Sequence, residues 1–219
     1  FAKLNYDLGL DGFNSSKLYF DLEKVSDDTF LKIFDSNLIS NSTSLKPEDS
    51  NKLSSELKID LEHSEYNFTG GLQLFEDLQK NNSDRYQYVL PYYDFNKNLI
   101  PDLKNGSINF NSTGSNNLDN TNELKSKVIN NLSYSSLDYY FNNGIRSNLN
   151  INLKNLNSLG KNISNYKSSP QVELSSIFEI NSSLPLKKED KNYVNYLTPQ
   201  ISLRVNPSDM KNFNTTERT

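Results

Sequence analysis

His63 is the only histidine in a chain of 219 residues that contains no cysteine. A metal centre built on imidazole and thiolate therefore lacks its ligands, and a Ser-His-Asp triad would have this one residue to build on. His63 lies in the short break His63-Ser64-Glu65, where simple solvation is its expected fate. Asp27 and Asp28 offer a carboxylate pair for acid–base work or for a cation. Adjacent in sequence and preceded by Ser26, they fit better the start of a helix, where a hydroxyl caps open N–H groups and negative charge is favoured. Asp94, Asn96 and Asn98 have the opening spacing of a calcium loop. Leu99, however, stands where that loop needs glycine, and Asn105 where it needs a bidentate glutamate. Asn-x-Ser/Thr triplets at Asn14, Asn41, Asn67, Asn111 and Asn131 arise readily by chance in a chain so rich in Asn and Ser. No catalytic, cofactor or metal site reads from these residues, and the chain is not expected to be an enzyme.

The elements that would position side chains are strands. Residues 1 to 13 alternate, with Ala2, Leu4, Tyr6, Leu8 and Leu10 on one face and Lys3, Asn5, Asp7, Gly9 and Asp11 on the other. Asn14-Ser15-Ser16 makes a turn into a second strand, in which Leu18, Phe20 and Leu22 oppose Tyr19, Asp21 and Glu23. A short amphipathic helix is predicted near 27–35, because Phe30, Leu31 and Phe34 recur at helical spacing. A long polar connection follows to about 51. Strands three (52–62) and four (Tyr66 to Leu78) flank the break at 63–65. Gly70-Gly71 in strand four marks a kink, a bulge or a close approach. Strand five (84–97) aligns Tyr86, Tyr88, Leu90 and Tyr92, strand six (106–114) has a thin pattern, and strand seven runs from 122 to 140. Asn142-Asn143-Gly144 has hairpin chemistry. Strand eight (145–156), a polar loop, strand nine (171–186) and strand ten (193–206) complete the series, and the tail from Asn206 reads as loop.

Hydrophobic residues make only 34% of the chain and the mean hydropathy is -0.72, values that a disordered chain could share. Tyr and Phe, however, number 13 and 12 and sit inside the alternating runs. A small apolar share with ordered alternation suits strands that are apolar on one face only, as in a barrel with a wet interior. The net charge of -4 is mixed along the chain without a basic stripe, which gives nucleic-acid binding no support. The chain starts at Phe1 and reads as an excerpt of a longer protein, so missing targeting signals say nothing about location.

Alternation alone also fits a soluble sandwich. Three features favour the bilayer. Several strands exceed the roughly 9 to 11 residues needed to cross it obliquely. Every connection is compatible with a hairpin, and some alternate short (14–16, 63–65, 142–144) and long (36–51, 157–170). The connection at 80–83 breaks this rule, and any aromatic girdle must be built from Tyr and Phe because Trp is absent.

Three segments resemble the outer-membrane LPS-assembly family LptD (organic solvent tolerance protein). The first is Val25, Ser26, Asp27, Asp28, Thr29, Phe30 and Leu31, similar to a V-S-D-x-T-[YF]-L run after a barrel strand. The second contains Leu90, Pro91 and Asp94, similar to L-P-x-x-D-[YF]-N. The third contains Pro199 and Arg204, similar to L-x-P-x-[IL]-x-[LF]-R. The resemblance implies an all-β, antiparallel up-and-down meander of about ten strands from a large outer-membrane barrel of a Gram-negative bacterium. It further implies lipopolysaccharide as cargo, a lipoprotein plug of the LptE kind in the lumen, a periplasmic bridge protein that delivers lipid, and no covalent chemistry. The family's exit gate lies between the first and last barrel strands, which a mid-barrel excerpt lacks. Its cysteines have no counterpart here, so a disulfide-controlled assembly step does not carry over. Two other readings stay open: a porin or nutrient-receptor barrel, and a soluble or surface β-protein that binds glycans.

Overall fold

The computed structural model describes residues 1–34, 51–102, 105–191 and 193–207. Its strands are β1 (Ala2–Asp7), β2 (Ser15–Leu22), β3 (Lys52–Glu62), β4 (Tyr66–Asp77), β5 (Tyr86–Asp102), β6 (Gly106–Asp119), β7 (Glu123–Ser135), β8 (Tyr139–Tyr140), β9 (Arg146–Lys161), β10 (Gln171–Ser183), β11 (Leu186–Glu189), β12 (Val194–Leu197) and β13 (Gln200–Val205). One α-helical turn, α1 (Phe30–Phe34), and a 3-10 turn at Asn82–Arg85 are the helical elements described. A single antiparallel sheet runs β1-β2-β3-β4-β5-β6-β7-β9-β10-β13, with β8 on the side of β9, while β11 and β12 form a hairpin of their own. Neighbours in space are neighbours in sequence almost throughout, as an up-and-down meander requires. The sheet is open, with β1 and β13 at its edges.

Several boundaries depart from the sequence pattern, each for a local reason. β1 stops at Asp7 rather than continuing to 13, because Gly9 (φ 58°) and Gly12 (φ 87°) turn the chain while Asp7 Oδ1 accepts from the Gly9 N–H at 3.0 Å. The helix begins at Phe30, and Asp27 rather than Ser26 holds the turn that leads into it: Asp27 Oδ1 accepts from the Thr29 N–H at 2.8 Å. The thin pattern of strand six conceals a strand of 14 residues, held by full ladders to β5 and β7. The expected strand at 122–140 divides into β7 and the short β8. The expected tenth strand divides at residues 198–199, because β12 leaves the main sheet to pair with β11. The connection at 36–51 falls almost wholly outside the described residues.

The turn joining β6 and β7 follows from backbone chemistry alone. Asn120 and Thr121 both take positive φ (51° and 61°), and the Asn122 N–H closes the turn on the Asp119 carbonyl at 3.2 Å. Residues 120–122 separate the paired Asp119 and Glu123, and a turn whose two central residues are left-handed matches the strand twist. Asn tolerates that region, whereas β-branched threonine does not. Replacing Thr121 by glycine should therefore stabilise the full-length protein by about 1 kcal/mol. Urea unfolding in detergent checks this, as a higher midpoint at unchanged slope.

Candidate functional site: a two-faced wall and its capped end

Cross-strand partners share a face, so the register defines two faces without ambiguity. One face carries Leu4, Phe20, Leu57 and Leu72 in one row, and Leu149, Ile180 and Leu203 in another. Its described side chains include three charges, Glu76, Lys97 and Lys161, each level with the start or end of a strand in the pairing. The opposite face is polar and carries a series of local hydrogen-bonded and ion-paired clusters. Lys3 pairs with Asp21 at 2.9 Å, Lys58 with Asp60 at 3.0 Å, and Asp60 accepts from Thr69 at 2.9 Å. Glu56 accepts from Gln73 at 2.8 Å and from the Tyr92 hydroxyl, Asp94 accepts from Asn111 at 3.1 Å, and Arg204 binds Glu179.

The apolar set does not follow one register row. The row of Leu4 passes through Phe20, Leu57 and Leu72 to the Leu90-Pro91 bulge, then turns polar at Asn116 and Ser126 before reaching Leu159 of β9. On β9 the apolar positions paired with β10 centre instead near Ile151, beside Phe178. The belt thus drifts by about eight residues over seven pairings, which at ~3.3 Å rise and ~4.8 Å strand spacing inclines the strands by roughly 40° to the normal of the belt. Strands of membrane barrels are tilted by a similar amount.

The two ends of the wall differ. At the hairpin end, Phe13, His63, Tyr66, Phe95 and Phe110 form a chain of ring contacts, with His63 stacked on Tyr66 at 4.6 Å. His63 is half-buried in that chain, which corrects the expectation of a solvated imidazole. At the opposite end, the segment after β2 folds over the apolar face. Leu31 packs with Leu53 and Leu78, and Val25 and Phe30 flank them. Glu76 is buried on the same face, and Arg85 satisfies it, with Nε donating to Glu76 Oε1 at 2.7 Å. The other edge of the same guanidinium donates to both oxygens of Asp28 (2.9 and 2.6 Å), and Lys24 lies 3.5 Å from Glu76. The Arg85 hydrogen bonds hold the Asp28 carboxyl below the ordinary range, and hydrogen bonds from Thr29 do the same for Asp27.

A family model described as LPS transport system D, LptD, matches residues 10–218. The chain belongs to the LptD family. That family is a transport component of the Gram-negative outer membrane, with lipopolysaccharide as its cargo. A search of curated proteins finds no match.

The family motifs fall at distinct places on the wall. Val25 to Leu31 form the capping segment, and Asp28 meets Arg85 rather than serving the start of α1. Leu90 and Pro91 form a bulge opposite Leu72, which carries Tyr92 onto the polar face instead of keeping it in line with Tyr86 and Tyr88. Asp94 and Arg204 lie on the polar face, and the Pro199 carbonyl accepts from the Leu184 N–H at 3.1 Å. Asp94 and Asn96 sit on an extended strand, not in a loop that could wrap a cation. Glu76 and Arg85 were not singled out from sequence. The signal that could have found them was an acid in phase with Leu72, Leu74 and Leu78.

Replacing Arg85 by alanine leaves Glu76, 5% exposed, with the Lys24 contact and the Tyr86 hydroxyl as its remaining partners among the described residues. A loss of about 3 kcal/mol is expected for such an uncompensated carboxylate, visible as faster hydrogen exchange over residues 25–32. The Asp28 contact is at full strength above about pH 4, its unfolded value, and weakens as pH falls through the lowered folded value. Asp28→Asn should remove this acid dependence of exchange while leaving the Glu76–Arg85 pair in place.

Proposed function

We propose that the chain is one stretch of the wall of a large transmembrane barrel, a single domain closed by further strands on both sides. In this reading the full protein is the outer-membrane translocon that assembles lipopolysaccharide into the outer leaflet. The observation that carries it is the slanting apolar belt backed by a charged face, in a chain of the LptD family. A barrel wall must offer hydrocarbon-compatible side chains outward and hydrated ones inward along tilted strands. The polar face, with Lys3, Lys58, Asp60, Glu173 and Arg204, then lines the lumen and accepts the saccharide and phosphate parts of the cargo. A lipoprotein plug shares that lumen, and a periplasmic bridge protein supplies lipid from below. No bond is made or broken by the wall.

The porin reading differs in what depends on the gene. Depleting the full-length protein in its host should lower lipopolysaccharide at the cell surface within a few generations, with small-solute uptake unchanged. Surface lipopolysaccharide that stays constant while solute uptake falls would assign the chain to a porin or receptor barrel instead.

A further inference from the structure

A second polar network interrupts the apolar face, and nothing in the wall's transport role requires it. Tyr93, Ser112, Asn130 and Asn155 occupy successive strands β5, β6, β7 and β9 on the side of the leucines. The Ser112 hydroxyl donates to Asn130 Oδ1 at 2.7 Å, so the Tyr93 hydroxyl is the donor in its 3.1 Å contact with Ser112. Asn130 Nδ2 donates to Asn155 Oδ1 at 3.1 Å, and Asn155 Nδ2 to the Glu173 carbonyl at 3.3 Å. Asn157 donates to the same Asn155 oxygen at 2.6 Å, and Ser126 donates to Asn116. The Asn116 amide N–H groups and the Asn157 carbonyl oxygen have no partner among the described residues. Such groups are costly in hydrocarbon. The belt drift places them at its edge on these strands, where a bilayer changes from acyl chains to headgroups.

Beside the network, on β3 to β5, lies a groove of about 550 Å³ lined by Leu57, Ile59, Phe68, Leu72, Pro91 and Tyr93. The groove exists because Gly70 has no side chain; a Cβ there would stand 2.8 Å from Phe68 Cζ. Tyr93 joins the two parts. Its ring lines the groove and lies over Gly114, where a Cβ would come within 2.2 Å of it, and its hydroxyl starts the hydrogen-bond chain. An apolar channel in the belt that runs into amide and hydroxyl groups at the belt's edge has the form of an amphiphile. None of these seven side chains is charged, which suits hydroxyl groups better than phosphate.

We propose that this outer surface of β3 to β9 is a lateral binding site for a glycolipid, with one acyl chain in the groove and sugar hydroxyls on the Ser112–Asn130–Asn155 ledge. The site is separate from the lumen path, and it rests on the membrane-barrel reading above. The test uses full-length protein in vesicles of phosphatidylethanolamine and phosphatidylglycerol with a minor fraction of lipopolysaccharide. A benzoylphenylalanine photo-crosslinker is placed at Ile59 (groove), Ser126 (beside the ledge) or Leu4 (belt, two strands from Leu57 and outside the groove lining). Relative to Leu4, the ratio of lipopolysaccharide to phospholipid adducts should rise about tenfold at both Ile59 and Ser126, the equivalent of one or two added hydrogen bonds. In the Ser112→Ala, Asn130→Leu variant, Ile59 should keep its phospholipid adducts and lose the enrichment. Equal ratios at all three positions, or a protein–protein adduct at Ser126, overturn the proposal. Absence of any lipid adduct at Leu4 instead removes the membrane reading on which it stands.

Discussion

The backbone ladder is the interaction on which this structure depends. Ten strands are joined edge to edge in the main path of the sheet, yet the buried apolar core among the described residues is only Leu31, Leu53 and Leu78. Most apolar side chains remain open: Leu4 is 53% exposed, Val172 71% and Leu203 63%. A soluble sheet gains its stability by packing such a face on a second layer. Here no second layer covers the face among the described residues, and in the proposed barrel the hydrophobic contribution comes from the medium around the wall. A bilayer supplies it and at the same time penalises every unpaired N–H and C=O, which strengthens the ladder's role. The open edges at β1 and β13 are consistent with a segment that pairs with further strands.

The capping segment follows from where that medium ends. Leu53 and Leu78 lie on the apolar face at the end of the wall, level with Glu76, which in the proposed barrel is beyond the reach of lipid. The turn after β2 brings Val25, Phe30 and Leu31 over them, so the protein supplies its own cover at this end. Glu76 then becomes a buried carboxylate, and Arg85, at the end of the 3-10 turn, neutralises it while tying down Asp28 of the same segment. One guanidinium therefore links three pieces of chain, β4, the start of β5 and the capping segment, in a planar geometry that lysine could not reproduce.

Much of this was legible in the sequence, because a period of two with one wet face leaves a plain mark. The bounds of β3, the break at 63–65, the close approach at Gly70-Gly71 and the family itself were all readable. What escaped was of two kinds. Tyr92 changed face because the bulge at Leu90-Pro91 inserts a residue, and alternation counted through a bulge inverts every later position. Glu76, Ser112, Ser126 and Asn130 lay in the apolar phase, where a reading that tracks leucines passes over the exceptions. Those exceptions hold the two hydrogen-bonded clusters of the outer face. Alternation also could not show that β12 would leave the main sheet for β11, since both partners have the same extended pattern.

The central claim is that one face meets lipid and the other water, and spin-label accessibility on the full-length protein in bilayers tests it most directly. Labels at Leu4, Leu57 and Leu61 should be relaxed by oxygen, which concentrates in hydrocarbon, while labels at Lys58 and Asp60 should respond to a water-soluble nickel chelate. Leucine positions shielded from both reagents would mean that the sheet packs on protein, and would contradict the membrane wall in favour of a soluble β-protein.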